Sequence, residues 1–167
     1  MKSNLFFAAI AACFLLFACG DDEGNDPGAT VEIDARETFH LKMDDVTAFG
    51  PTLTFDLSDE LSGHSDPEFN INQIYFGVNN YTGQASNITV KLQVVGNSAT
   101  VTSASQVIAN INNDPSGVNI SLSDNSFFNI INSDLEDDNK VRITISGSLD
   151  AKPSEFDLVV RLKGTAK

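Results

Sequence analysis

Residues 87–94 read NITVKLQV, in which Ile88, Val90, Leu92 and Val94 alternate with Asn87, Thr89, Lys91 and Gln93. Successive side chains of a strand point to opposite faces, so this octet carries one apolar and one polar face. The same period of two continues in both directions. Upstream, Val31 and Ile33, then Phe39, Leu41 and Met43, then Leu53, Phe55 and Leu57 alternate with polar residues. Phe69 and Ile71 open a further run, which Ile74, Phe76 and Val78 continue out of phase. That slip predicts a bulge or a bend. Downstream, the runs are a weaker one at Val107, Ala109 and Ile111, then Val118–Leu122, Val141–Ile145 and Phe156–Leu162.

Turn chemistry separates these runs: Phe49-Gly50-Pro51, residues 79–83 (NNYTG), Gly96-Asn97-Ser98, and residues 112–117 (NNDPSG). Gly, Asn, Asp and Pro at such places supply the special backbone angles that turns need. One segment departs from the period. In residues 126–135, SFFNIINSDL, the apolar residues Phe127, Phe128, Ile131 and Leu135 recur at helical spacing. One or two helical turns capped by Asp124 or Ser126 fit it, as does a strand bent around a sheet end. Eight or nine strands with one apolar face each predict an all-β fold, an antiparallel β-sandwich of immunoglobulin-like architecture over residues 30–167. A closed β-barrel is the alternative. A transmembrane barrel is disfavoured, because Glu32, Asp34, Lys42, Lys91, Arg142, Arg161 and Lys163 fall on outward faces, and charge facing lipid is costly.

The first residues are of another kind. Residues 1–20 read MKSNLFFAAIAACFLLFACG: a positive Lys2, an apolar run from Leu5 to Phe17, then Leu16-Phe17-Ala18-Cys19. The run is shorter than the roughly 20 apolar residues a membrane span requires. Charge, apolar run and terminal cysteine in this order resemble the lipobox signal of bacterial lipoproteins. The resemblance implies a signal peptide over residues 1–18, cleavage before Cys19, and a diacylglyceride thioether on its sulfur. Two or more acyl chains, at about 0.8 kcal/mol per buried methylene, anchor a protein stably. Cys13 would leave with the leader, so no disulfide is expected within the mature chain. Residues 19–29 combine the lipidated cysteine with a Gly-, Pro- and acid-rich flexible tether. Asp21, Asp22 and Glu23, directly after the cysteine, resemble the export signal of surface lipoproteins of Bacteroidota. That likeness implies a lipid-anchored protein on the outer face of the outer membrane; the alternative is a plain linker on its periplasmic face.

Charge narrows the partners. Twenty-three acidic residues stand against ten basic ones, and loss of Lys2 takes the formal net charge from −13 to −14. Nucleic acid is disfavoured, since neutralising phosphates takes Lys and Arg. The expected partners are the membrane, through the N-terminal lipid, and a protein or glycan.

The residues that could carry chemistry are sparse. The two histidines are His40, on the polar side of its strand, and His64, in the acidic loop 59–66. No Gly-x-Ser-x-Gly elbow is present. Trp is absent and Tyr is limited to Tyr75 and Tyr81, which argues against the aromatic platforms of sugar sites. The histidines lack zinc-ligand spacing. Calcium suits acidic loops better, and the densest candidate set is Asp134, Glu136, Asp137 and Asp138, read as an acidic turn between strands. Asp44-Asp45 and the loop 56–66 are thinner sets. The expectation is a non-enzymatic binding, adhesion or structural module without a cofactor, its end loops the contact surface. An accessory glycan-binding lipoprotein of an uptake system and a hydrolase are the alternatives.

Overall fold

The computed structural model describes residues 30–61, 66–120 and 125–167. The strands are β1 (Val31–Met43), β2 (Ala48–Phe49), β3 (Thr52–Asp56), β4 (Phe69–Gly83), β5 (Asn87–Val94), β6 (Thr100–Thr102), β7 (Gln106–Val107), β8 (Val118–Asn119), β9 (Lys140–Leu149) and β10 (Ser154–Ala166). Helix α1 (Ile108–Ile111) lies between β7 and β8, and α2 (Ser126–Asp138) between β8 and β9. The first sheet has the order β1-β10-β4-β8. In the second, β9 and β5 are central, with β2 and β3 beyond β9 and β6 and β7 beyond β5. Among the described residues every pairing between these strands is antiparallel, an isolated parallel bridge joins Val78 to Asn112, and neither sheet closes into a barrel.

The pairing is nested. β1 pairs with β10, β3 with β9, β4 with β8 and β5 with β6. The chain is one long antiparallel ribbon whose successive rungs go to alternate sheets. β10 meets β4, and β9 meets β5, where the coils of that ribbon touch. This connectivity is that of a jelly roll, and the architecture is the expected antiparallel sandwich. β2 and β3 are one strand interrupted at Gly50-Pro51, where proline lacks a donor for the ladder. The Pro51 carbonyl still accepts from the Ile145 N–H at 2.7 Å.

The alternating residues make the core. Ile88, Val90, Leu92 and Val94 are all buried, as are Val141, Ile143 and Ile145 from β9 and Phe156, Leu158, Val160 and Leu162 from β10. Each such side chain stabilises the fold by about 1.5–3 kcal/mol when fully buried. The slip in β4 is a bulge. Lys163 is opposite Gln73 and Gly164 opposite Ile71, so Asn72 is extra and both Ile71 and Ile74 point inward. The Asn132 side chain of α2 fastens this point, accepting from the Ile71 N–H at 2.8 Å.

Two expectations need correction. Residues 107–111 are not a strand beyond Val107: Ile108 and Ile111, three apart, are buried and Val107 is exposed, which is the spacing of the single turn α1. The helical reading of 126–135 holds, but the helix runs 13 residues, through Asp138. It buries Phe127, Phe128, Ile131 and Leu135 and ends at Asn139, whose left-handed backbone lets its N–H reach the Leu135 carbonyl. Ser126 is its first residue, preceded by Asn125, and Asp124 lies outside the described residues. The acidic set at 134–138 is therefore a helix end, not a turn between strands.

Candidate functional site

The outward faces of β1, β10 and β4 form one surface of the first sheet, and register lines their side chains up in rows. Asp34 lies beside Lys163, which lies beside Gln73. Arg36, Arg161 and Tyr75 make the next row, Thr38, Val159 and Gly77 the next, and His40, Asp157 and Asn79 the fourth. Gly77 has no side chain to cover Val159, so a hollow opens over the third row. It is shallow, with a cavity volume of about 20 Å³, room for about one water. Gly77 and Val159 form its floor, and Arg36, Arg161, Tyr75 and Asn79 stand around it, with residues 114–117 as a wall. Val159 is nonetheless only 7% exposed.

Side-chain amides on the preceding turn hold that wall to β4. The Tyr81 N–H donates to Asn112 Oδ1 at 3.1 Å, and the Asn80 N–H donates to Asn113 Oδ1 at 3.0 Å. The Asn113 N–H donates to the Val78 carbonyl at 2.8 Å. The Ser116 N–H donates to Asp114 Oδ1 at 2.9 Å, closing the Asx turn that Asp-Pro-Ser-Gly favours. Gly117, at φ +65°, is required: a Cβ there would sit 2.9 Å from the Phe76 carbonyl oxygen.

Charge is unevenly satisfied around the hollow. Arg161 makes a two-pronged ion pair with Asp34, and Lys163 Nζ approaches the same carboxylate at 3.8 Å. The Arg161 hydrogen bonds, with help from Lys163, hold the Asp34 carboxyl below its usual range. Lys163 Nζ also lies 5.8 Å from the centre of the Tyr75 ring, a weak cation–π contact at an exposed site. Arg36 differs: it is exposed and makes no ion pair among the described residues. With the Asn79 amide oriented so that its nitrogen donates to the Val78 carbonyl, its oxygen accepts from Arg36 Nη2 at 3.1 Å. A guanidinium with free donors beside an aromatic ring can receive a carboxylate, a phosphate or sugar hydroxyls.

The residues singled out from the sequence fall in several places. Cys19, the leader and the tether lie outside the described residues, as does His64. His40 stands on the outward face between two acids, with Nδ1 2.8 Å from Asp157 Oδ1 and Nε2 3.5 Å from Glu155 Oε1. Hydrogen bonds from Asn80 and then His40 lower the Asp157 pKa. Tyr75 stands on the rim of the hollow, while Tyr81 has a structural part. Its ring packs 6.2 Å from that of Phe156, and its hydroxyl donates to the Ala85 carbonyl at 2.8 Å.

The calcium candidates divide. Asp134, Asp137 and Asp138, spaced three and four apart on α2, line an open depression with Thr54, Val95, Lys140 and Arg142, and Glu136 is not among its lining residues. Burial first, then Asp137 and Asp138, raise the Asp134 pKa. Nearby, Lys140 Nζ lies 2.9 Å from Asp56 Oδ2, and hydrogen bonds from Ser58 and Lys140 lower Asp56 to about 2. Among the described residues, no three carboxylate, imidazole or thiol groups converge on one point.

Sequence reasoning missed Arg36, Asn79 and Gly77 as a set, since only strand register brings them together. Residues 112–117 were visible as a turn, without sign of what they enclose. No family model matches the chain, and no curated protein or solved structure matches it either.

Proposed function

We propose that this chain is a lipid-anchored, non-catalytic binding module of the cell envelope. In this reading it is cleaved before Cys19, tethered through residues 19–29 to the outer membrane and displayed on the cell surface. Its contact face is the hollow on the first sheet rather than the end loops. The observation that carries the binding role is Arg36, an exposed guanidinium without an ion-pair partner among the described residues, beside a pinned wall in a chain of net charge −13. Anchoring and display rest on the ordered signature of residues 1–23. Protease treatment of intact cells tests them: the wild type should be digested, and Cys19→Ala should leave the membrane fraction. A wild type protected until the outer membrane is opened turns the search to periplasmic partners.

A glycan-uptake accessory role is the second reading. It draws on Tyr75, half-buried on the rim of the hollow with Arg36 and Asn79. Screening immobilised uronic-acid and neutral oligosaccharides against the full chain and Arg36→Ala separates the two. Retention lost in Arg36→Ala supports a glycan ligand, and no retention by the wild type leaves a protein partner.

A further inference from the structure

The free edge of the first sheet carries a charge pattern complementary to itself. β1 is the outermost strand and, among the described residues, is paired only with β10. It is 13 residues long. Such an edge offers a row of unpaired N–H and C=O groups to any strand that fits, and proteins usually protect it with charge. Here the charges are sorted by sign. Along the outward face run Glu32, Asp34, Arg36, Thr38, His40 and Lys42, acids at one end and cations or a titratable base at the other. All six are exposed.

We infer that two copies of the chain pair antiparallel through β1, about a two-fold axis at Glu37. This register sets Glu32 opposite Lys42 of the second copy and Asp34 opposite His40 of the second copy, each twice by symmetry. On the inward side Ile33 meets Leu41, and Ala35 meets Phe39, a phenylalanine otherwise 39% exposed. The rows continue into the flanking strands. Lys163 and Asp34 of one copy are followed by His40 and Asp157 of the other, so basic and acidic groups alternate across four strands. Below it run Thr165 and Glu32 of one copy, then Lys42 and Glu155 of the other.

Opposite charges facing each other across a strand pair are stabilising, and like charges are destabilising. The like pair in this arrangement is Glu37 against itself on the axis. Sliding by two residues one way sets Arg36 against Arg36, and the other way sets Arg36 against His40. Sliding by one sets outward residues against inward ones. A parallel arrangement stacks Glu32 on Glu32 and Lys42 on Lys42. The two-fold arrangement is closed, so it stops at a dimer.

Cysteine pairing in the full chain tests the register. Opposed residues have Cβ atoms about 4.5–5.5 Å apart, close enough for a disulfide to form with slight adjustment. Glu32 and Lys42 of one strand are about 34 Å apart, as is each from its own copy across the axis. Under mild oxidation, Glu32→Cys with Lys42→Cys should therefore run at twice the monomer mass, while either single variant stays at the background set by the unsubstituted chain. Cross-linking of the single variants to the same extent overturns the register. So does its absence from the double variant when that variant melts like the wild type. Sedimentation of charge variants gives a second reading. Glu32→Lys and Lys42→Glu should each weaken the dimer, and the two together should restore it. A wild type that sediments as a monomer at every concentration, or a combined variant weaker than either single one, also overturns the inference.

Discussion

The two sheets share one core and turn different chemistry to solvent. The outward face of the second sheet is laid mainly with short hydroxyl side chains. Thr52 lies across from Thr144 with their hydroxyls 3.0 Å apart, and Thr100 and Thr102 flank β5. Lys140 and Asp56 pair at its end. On the first sheet four of the six outward rows of β1 and β10 set one ionisable side chain beside another, at Asp34–Lys163, Arg36–Arg161, His40–Asp157 and Lys42–Glu155. Threonine satisfies a strand's preference for β-branched residues and leaves the surface inert. Ordering long charged side chains costs rotamer entropy, and exposed pairs return roughly 0–1 kcal/mol each. Their concentration on one sheet therefore adds little to stability.

Substituting glycines should give the largest difference, between a core-facing position in the second sheet and an outward one in the first. At Gly147 in the second sheet, a Cβ would sit 2.3 Å from the Phe49 ring and 2.4 Å from the Thr89 carbonyl oxygen. Gly147→Ala should cost about 1–3 kcal/mol, or roughly 3–8 °C in melting temperature. At Gly77 a Cβ would have its nearest neighbours at 3.9 and 4.0 Å. Gly77→Ala should hold or slightly raise the melting temperature, since Gly in a strand costs about 0.5–1 kcal/mol relative to Ala, while narrowing the hollow. Equal losses at the two glycines would erase the contrast.

A smaller difference should appear in double-mutant cycles read by denaturant unfolding. Asp34→Ala with Arg161→Ala should show a coupling of about 0.5–1 kcal/mol, because the pair is two-pronged but partly exposed. Thr52→Val with Thr144→Val should show a coupling of a few tenths of a kcal/mol at most. A larger threonine coupling would mean that the second sheet is cross-braced as firmly as the first.

Acid should act on both sheets in the same direction. Asp34, Asp56, Asp150 and Asp157 all have folded pKa values below 3.8. Their stabilisation is complete above 3.8 and disappears as the pH falls through the lowered values, for Asp56 near 2. Melting followed against pH should decline across that window, and Asp56→Asn should remove its lowest part. Asp134 has the opposite sign. Its raised pKa means that the ionised form is penalised at neutral pH and relieved as the pH falls through the raised value. The smallest expected effect is thus a slight rise in melting temperature for Asp134→Asn at neutral pH, vanishing below pH 3.8. A fall at neutral pH would show that the charge is used, as a cation site would require.

How much of this was legible in the sequence follows from distance along the chain. Alternation is a local signal, and it marked Ile88, Val90, Leu92 and Val94 as core and the slip after Ile71 as a bulge or a bend. Phe39 has the inward parity and is still exposed, because parity does not reveal that a strand lies at an open edge. Val107, Ala109 and Ile111 imitated a strand because short apolar runs fit more than one period. The acids after Asp134 looked like a turn because the polar end of an amphipathic helix resembles a loop in composition. The hollow was the least legible part. Arg36 and Arg161 become neighbours only through the register of β1 and β10, and the opening between them depends on the side chain that Gly77 lacks.

The nested ribbon also sets an order of events. β10 lies between β1 and β4, so the first sheet has no centre until the last described strand arrives. During synthesis, β1 and β4 must wait for more than half of the described chain to follow, exposed to chaperones and proteases. Folds dominated by such distant pairings close in roughly milliseconds to seconds. Until that 13-residue strand pairs, β1 and β4 have no partner between them and the first sheet cannot close.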